Sequence, residues 1–336
     1  MATTSCTLAI DAMSGDFGPH VIIPSALDFI SRFPDCRLLL VGDEQKIRNH
    51  LKQVSPSFQI DVVHASEIVA MDEKPSTALR KRKDSSLYRS ISLVAEGQAD
   101  ACVSAGNTGA MMAIGRYLLR THPGIDRPAI ASALPTRTGH SYILDLGANV
   151  DCSADHLFQF ALMGSVLMET VDGKTAPRVA LLNVGEEEIK GNEQVKLASR
   201  LIQEHSQINY IGYIEGDDIY AGKADVVVCD GFVGNIALKS SEGLARLLGR
   251  SLKTAFERSL YRKLIGFLAR PILGEMQELM DPSRRNGASL LGLQGIVVKS
   301  HGSANQACFG FAIEQARAEV VQGLSEKLNE RLSSLF

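Results

Sequence analysis

The chain is missing most signatures by which nucleotide, metal and membrane proteins announce themselves. Nowhere in its 336 residues does G-x-G-x-x-G or G-x-x-x-x-G-K-[ST] occur, so neither a dinucleotide nor a nucleoside triphosphate is indicated. The cysteines, at 6, 36, 102, 152, 229 and 308, form no C-x-x-C pair, which speaks against a clustered metal site or a redox motif. No His/Cys/Asp/Glu set has metal-ligand spacing, and neither a metal nor an organic cofactor is expected. A formal net charge of −3 carries no general nucleic-acid signature. No window offers eighteen uncharged apolar residues, and the start MATTSCTLAID has no basic n-region or long apolar h-region. Free thiols within apolar runs, such as Cys102 and Cys229, fit a reducing, cytosolic compartment.

What is present is a regular alternation. Strand candidates are 7–11, 36–42, 59–65, 100–105, 129–135, 142–147, 178–184, 208–214, 224–230 and 295–299. Between most of them lie stretches of 3.6-residue periodicity, such as 76–97, 154–170, 191–205 and 303–323. Apolar strands alternating with helices predict a three-layer α/β/α, doubly wound fold with a largely parallel sheet. A chain of 336 residues can form it as a single domain over 1–336 or as two lobes. A helical protrusion is expected over 250–282.

Glycine and asparagine recur where strands end: SAGNTGA (104–110), LDLGANVD (144–151), KGNE (190–193) and CDGFVGN (229–235). Singly, each is an ordinary turn. Together they occupy the strand ends where α/β sheets bind ligands. Glycine allows close backbone approach, and a helix opening just beyond offers free N–H groups and the positive end of its dipole. The pattern predicts an anion-binding rim, for a small anion.

With these steps come DAMSGDFGPH (11–20), KPSTALRKRKDSSL (74–87), RPAI (127–130) and NGASLLGLQGIVVKSHG (286–302). In this order and spacing the chain resembles, from Leu8 to about Leu324, the phosphate acyltransferases of bacterial phospholipid synthesis, the PlsX family. The resemblance implies transfer of a fatty acyl group from acyl carrier protein to inorganic phosphate. The acyl phosphate product then serves a membrane acyltransferase. It further implies a fold similar to phosphotransacetylases and isocitrate-type dehydrogenases, a homodimer, and a cytoplasmic protein peripherally attached to the inner face of the cell membrane. Ser14 departs from the family, which usually has a second glycine there; serine still supplies N–H and hydroxyl donors.

Attack of phosphate on a thioester makes modest chemical demands. Phosphate groups have a second pKa near ~6 and are largely dianionic at neutral pH. A thiol, with pKa near ~8.5, leaves readily as thiolate. Positioning and electrostatics should dominate, and orientation alone can supply roughly 7–11 kcal/mol. A site of amides, N–H groups and a few cations suits this reaction. Catalytic candidates are Lys190, as the cation on phosphate or the tetrahedral oxyanion, Asn235 as a polar ligand, and His301 as proton donor to the departing thiolate. Phosphate- or thioester-binding candidates are Asp11, Ser14, Gly15, Gly106, Asn107, Thr108, Asn149, Gly191, Asn192, Gly234 and Lys239. Asp11, Asp16 and Asp230 would orient loops or a lysine, since an acid repels phosphate.

Two surface features concern partners. Arg80, Lys81, Arg82 and Lys83 form a basic run suited to docking acidic acyl carrier protein; a solvated face is the plainer alternative. In TAFERSLYRKLIGFLARPIL (254–273), Phe256, Leu260, Leu264 and Leu268 lie four apart, opposite Arg258, Arg262, Lys263 and Arg270. Such a helix lies in a membrane interface, or packs on its own core or on a dimer partner, and Pro271 would kink or end it. A phosphotransacetylase-like enzyme using coenzyme A, or a non-catalytic membrane scaffold, are the competing readings.

Overall fold

The computed structural model describes residues 6–52, 58–205, 207–274 and 286–335. The chain runs β1 (Thr7–Asp11), α1 (Pro19–Arg32), β2 (Arg37–Gly42), α2 (Glu44–Leu51), β3 (Ile60–His64), α3 (Pro75–Lys81), α4 (Ser86–Ala95), β4 (Ala101–Ser104) and α5 (Thr108–Leu118). Next come β5 (Ala129–Thr136), β6 (Gly139–Leu144), α6 (Ala154–Val171), β7 (Val179–Leu182), α7 (Glu193–Glu204), β8 (Tyr210–Ile214), α8 (Asp218–Ala221), β9 (Val226–Val228), α9 (Gly231–Glu257) and α10 (Leu260–Leu268). It closes with β10 (Ala288–Leu291), β11 (Ile296–Lys299), α11 (Gln306–Val321) and α12 (Leu324–Ser333).

All the strands join one sheet, in the order β3-β2-β1-β4-β11-β10-β5-β6-β9-β7-β8. Two parallel blocks, β3-β2-β1-β4-β11 and β6-β9-β7-β8, flank a centre in which β10 is antiparallel to both β11 and β5, and β5 to β6. Three reversals in a row leave the two blocks pointing in opposite directions. The expected doubly wound, largely parallel sheet is present, but its strand ends do not form one row. The two reversals at β10 (ASLL, which pattern alone left unassigned) cancel, and it is the antiparallel β5–β6 pair that turns the second block over.

Helices cover both faces. Phe29, Ile30, Phe309 and Ile313 of α1 and α11 pack on the first block, and α6, α7 and α12 cover the second on the same face. Fourteen of the 18 residues of α6 are buried, so it is apolar nearly all round, as a core helix must be. On the other face lie α4, α5 and the first turns of α9, through Ile91, Met111, Ile114 and Leu238.

The helix expected across 254–273 is broken. α9 ends at Glu257, and the Ser259 hydroxyl accepts the Arg262 N–H to start α10. Phe256 therefore belongs to α9, not to the row of Leu260, Leu264 and Leu268, and its ring lies where a side chain at Gly266 would stand. α10 stops at Leu268, before Pro271. Of the expected protrusion over 250–282, residues 275–282 lie outside the described residues.

Candidate active site

The tips of β1, β4 and β11 are tied into one structure. The Ser104 hydroxyl donates to Asp11 at 2.7 Å, the Ser300 N–H to the Ser104 carbonyl at 2.8 Å, and the Asp16 N–H to the Gly302 carbonyl at 2.8 Å. Ser14, the departure from the family pattern, is part of this weave. Its hydroxyl donates to the Asp11 carbonyl at 3.1 Å and accepts the Ala105 N–H at 2.9 Å. Gly15 has φ +74°, and a Cβ there would stand 2.9 Å from the Gly302 carbonyl oxygen, so only glycine lets these loops close.

Lys299, the last residue of β11, is the cation of this group. Its ammonium donates to the Ser300 carbonyl. Burial, then the charge of Lys239 on α9, pulls its pKa down to about 8, while Asp11 and Asp16 hold it up. His301, two residues on, is lowered by burial and then by Lys239. Lys239 itself pairs with Glu242 at 3.2 Å. Burial raises Asp11 against the hydrogen bonds it receives. Of the acids expected to orient loops or a lysine, Asp11 and Asp16 act by charge on Lys299. The sequence reading includes Lys299 only as the end of strand candidate 295–299; its position at the start of KSHG, between an apolar strand and a helix, is the available signal.

Asn107 caps α5, its side-chain oxygen accepting the Ala110 N–H at 3.0 Å. Its amide donates to the carbonyls of Ala70, Met71 and Glu73, at 3.2, 2.9 and 2.9 Å. The expectation that this carboxamide meets the anion is thereby corrected: it fixes the 70–73 loop to the helix start. What the turn at Gly106-Asn107-Thr108 retains are the Thr108 and Gly109 N–H groups, which have no partner within the helix.

A second group forms at the tip of β6. Asp145 is fully buried and accepts the N–H groups of Ile130 (3.0 Å), Ala148 (3.1 Å) and Asn149 (2.6 Å), with the Asn149 amide at 3.0 Å. Asn149 also donates to the Pro128 carbonyl, so it too is structural. The first turn of α9 docks on this hub. A Cβ at Gly234 would stand 2.0 Å from the Asp145 carbonyl oxygen and one at Gly231 2.6 Å from that of Asn149. The glycines of CDGFVGN are close-packing residues. Asn235 is exposed beside Gly147, and among the described residues its amide makes no hydrogen bond within the chain.

Lys190, Gly191 and Asn192 lie at the tip of β7. The Asn192 side chain caps α7 through the Val195 N–H at 2.9 Å. Lys190 is exposed and pairs with Glu187 at 2.8 Å; Glu187 first, then Glu215, raises its pKa. His301 instead feels Lys239, Glu242, Lys299 and Asp16, so the two catalytic candidates share no charged neighbour. The strand ends thus fall into three groups. α9 meets two of them, Asn235 at the second and Lys239, one helical turn on, at the first.

Of the basic run, Arg82 braces its own loop through Glu73 at 3.0 Å and Glu67 at 3.1 Å, leaving Arg80, Lys81 and Lys83 exposed. No thiol stands ready at the tips. Burial raises Cys102 and Cys229, and Cys152 is pushed up to about 12. Cys36, lowered first by its hydrogen bond with Cys6, precedes β2, one strand in from the sheet edge at β3.

The family model for fatty acid synthesis proteins matches residues 6–327. A phosphate acyltransferase of Alkalilimnicola ehrlichii is 56% identical over 336 residues, covering 99% of this chain and 98% of that protein. One from Halorhodospira halophila is 53% identical with the same coverage. Among solved structures, a phosphotransacetylase from Streptococcus pyogenes superposes with a TM-score of 0.61 at 18% identity, covering 94% of each chain, which is a likeness of fold. The chain belongs to the fatty acid synthesis protein family and, within it, to the phosphate acyltransferases.

Proposed function

We propose that this acyltransferase moves a long-chain fatty acyl group from acyl carrier protein to inorganic phosphate, giving acyl phosphate and the free carrier thiol. The observation that carries the reading is the Lys299 group: a partly desolvated ammonium at three joined strand tips, beside the opening turn of α5, with no reactive thiol near. The ammonium and the Thr108 and Gly109 N–H groups hold dianionic phosphate. A phosphate oxygen adds to the thioester carbon, a C–O bond forms, and the C–S bond breaks to release thiolate. Asn235 and Lys239, one turn apart on α9, are positioned to steady the carbonyl oxygen as charge develops on it. Lys190, exposed at the neighbouring tip, is a second cation for that role.

In this reading His301 is not required as the proton donor expected above. A histidine lowered by burial is neutral at pH 7, and a neutral imidazole is a poor acid. The thiolate leaves without one.

Acidic acyl carrier protein finds Arg80, Lys81 and Lys83 exposed at the end of α3, which packs against α5. Leu260, Leu264 and Leu268 are 85%, 57% and 68% exposed, and Phe267 61%. With Arg258, Arg262, Lys263 and Arg270 alongside, that face suits a peripheral membrane contact at the inner leaflet, where the product is consumed. No helix of the described residues is long and apolar enough to cross a membrane. Phe232, Ile236 and Leu247, exposed on α9, suit a homodimer. The test is to supply purified protein with phosphate and either hexadecanoyl-acyl carrier protein or acetyl-coenzyme A. Acyl phosphate chiefly from the first supports the reading; preference for acetyl-coenzyme A refutes it in favour of a phosphotransacetylase.

A further inference from the structure

The groove between α9 and the β5–β6 hairpin has a volume of about 340 Å³ and an apolar lining. Leu134 and Pro135 of β5 form one wall, and Leu238, Leu244, Ala245 and Leu248 of α9 the other. Leu134 is buried, whereas Leu244 and Leu248 stay 57% and 45% exposed, an apolar wall that the described residues leave partly uncovered. The groove adjoins the Lys299 group. Glu242 lines it, pairs with Lys239, and is among the charges acting on His301. One stripe of α9 (Asn235, Lys239, Glu242) thus looks to the strand tips, and the stripe beside it (Leu238, Ala245, Leu248) to the groove.

We propose that this groove holds the alkyl chain of the acyl donor, thioester carbonyl toward Lys239 and methyl end toward Leu248. The inference rests on the acyl-transfer reading and adds to it the side on which the chain lies and the residues that measure its length. From Leu238 to Leu248 α9 rises about 15 Å, a span that suits a long alkyl chain rather than an acetyl group. The volume lies within the usual range of small-ligand sites, roughly 300–1,000 Å³. A second copy of the chain is the rival occupant. The border shared with the site favours the substrate, because a ligand tethered at Lys239 must leave along one of the two stripes.

Each methylene moved from water to such a wall changes affinity by about fourfold. The experiment compares kcat/KM for hexadecanoyl- and butanoyl-acyl carrier protein, with phosphate saturating, in the wild-type chain and in Ala245→Trp and Leu248→Asp. These positions lie on a solvent-facing part of α9, and circular dichroism verifies the fold. In both variants the hexadecanoyl-to-butanoyl ratio should fall about tenfold or more, Trp by filling the groove and Asp by wetting it. A ratio within twofold of wild type, while the wild-type chain forms acyl phosphate, overturns the groove and leaves the reaction standing. If Ala245→Trp changes the sedimentation coefficient and not the ratio, the groove belongs to a second copy and the inference fails. Absence of acyl phosphate from either donor with wild-type protein overturns the reaction and the groove together.

Discussion

Replacing Lys299 by Met should make the protein more stable and less active at once. Moving an ammonium's pKa from 10.5 to about 8 means that keeping it charged inside the fold costs about 3 kcal/mol. The folded-state value lies below the unfolded one, so the folded chain binds fewer protons between them and wild-type stability rises with pH in that window. The penalty is fully present below about pH 8 and fades as pH approaches 10.5. Methionine keeps the stem and carries no charge. The variant should therefore exceed wild type by up to about 3 kcal/mol at pH 7, with the gap closing to under about 1 kcal/mol at pH 10. Urea unfolding followed by circular dichroism at the two pH values reads this directly. Activity moves the other way. A hydrogen bond to a charged group contributes about 1.5–3 kcal/mol, so KM for phosphate should rise roughly 10- to 100-fold. In wild type the same KM should climb above pH 8 as Lys299 loses its proton. Equal pH dependence of stability in the two proteins, or an unchanged KM, would refute the reasoning.

Further outcomes follow from the same geometry. Lys190 is exposed and, among the described residues, pairs with Glu187 alone, so Lys190→Ala should leave the urea midpoint unchanged while kcat falls ~10²-fold, the scale of a lost oxyanion donor; a folded variant with near-normal turnover removes it from the reaction. Gly234→Ala puts a methyl 2.0 Å from the Asp145 carbonyl oxygen and should destabilise by about 1–3 kcal/mol, whereas Gly243→Ala on the same helix, which meets no atom within 4 Å, should not. Leu264→Glu with Leu268→Glu should release the protein from anionic liposomes in a flotation assay and spare turnover of soluble donor; retained flotation points to packing against a second copy.

How legible this was depended on how local the cause was. Strands and helices with their own periodicity, such as β2 and α6, were readable because pattern and burial are the same fact there. β10 was not: four residues carry no period of their own, and it is a strand only because β11 and β5 lie on either side. What reverses the second block and divides the expected rim is the antiparallel pairing of β6 on β5, a direction that neither strand's own pattern discloses. The break at Ser259 was readable as a helix cap, but the apolar period runs through it. At the site, glycine and asparagine marked the correct turns. They did not disclose direction, since Asn107 and Asn149 point their amides at distant carbonyls and Asn235 does not. Lys299 gains its character from burial and then from the charge of Lys239 on α9, with Asp11 and Asp16 acting against them, neighbours that only folding supplies.

The most direct test is the position of a bound phosphate in crystals grown without an acyl donor. Density is expected within hydrogen-bonding distance of the Lys299 ammonium and the Thr108 N–H, with Lys239 and Asn235 to one side. Density confined to the β7 tip around Lys190 and Asn192, with the Lys299 group holding only water, would contradict it.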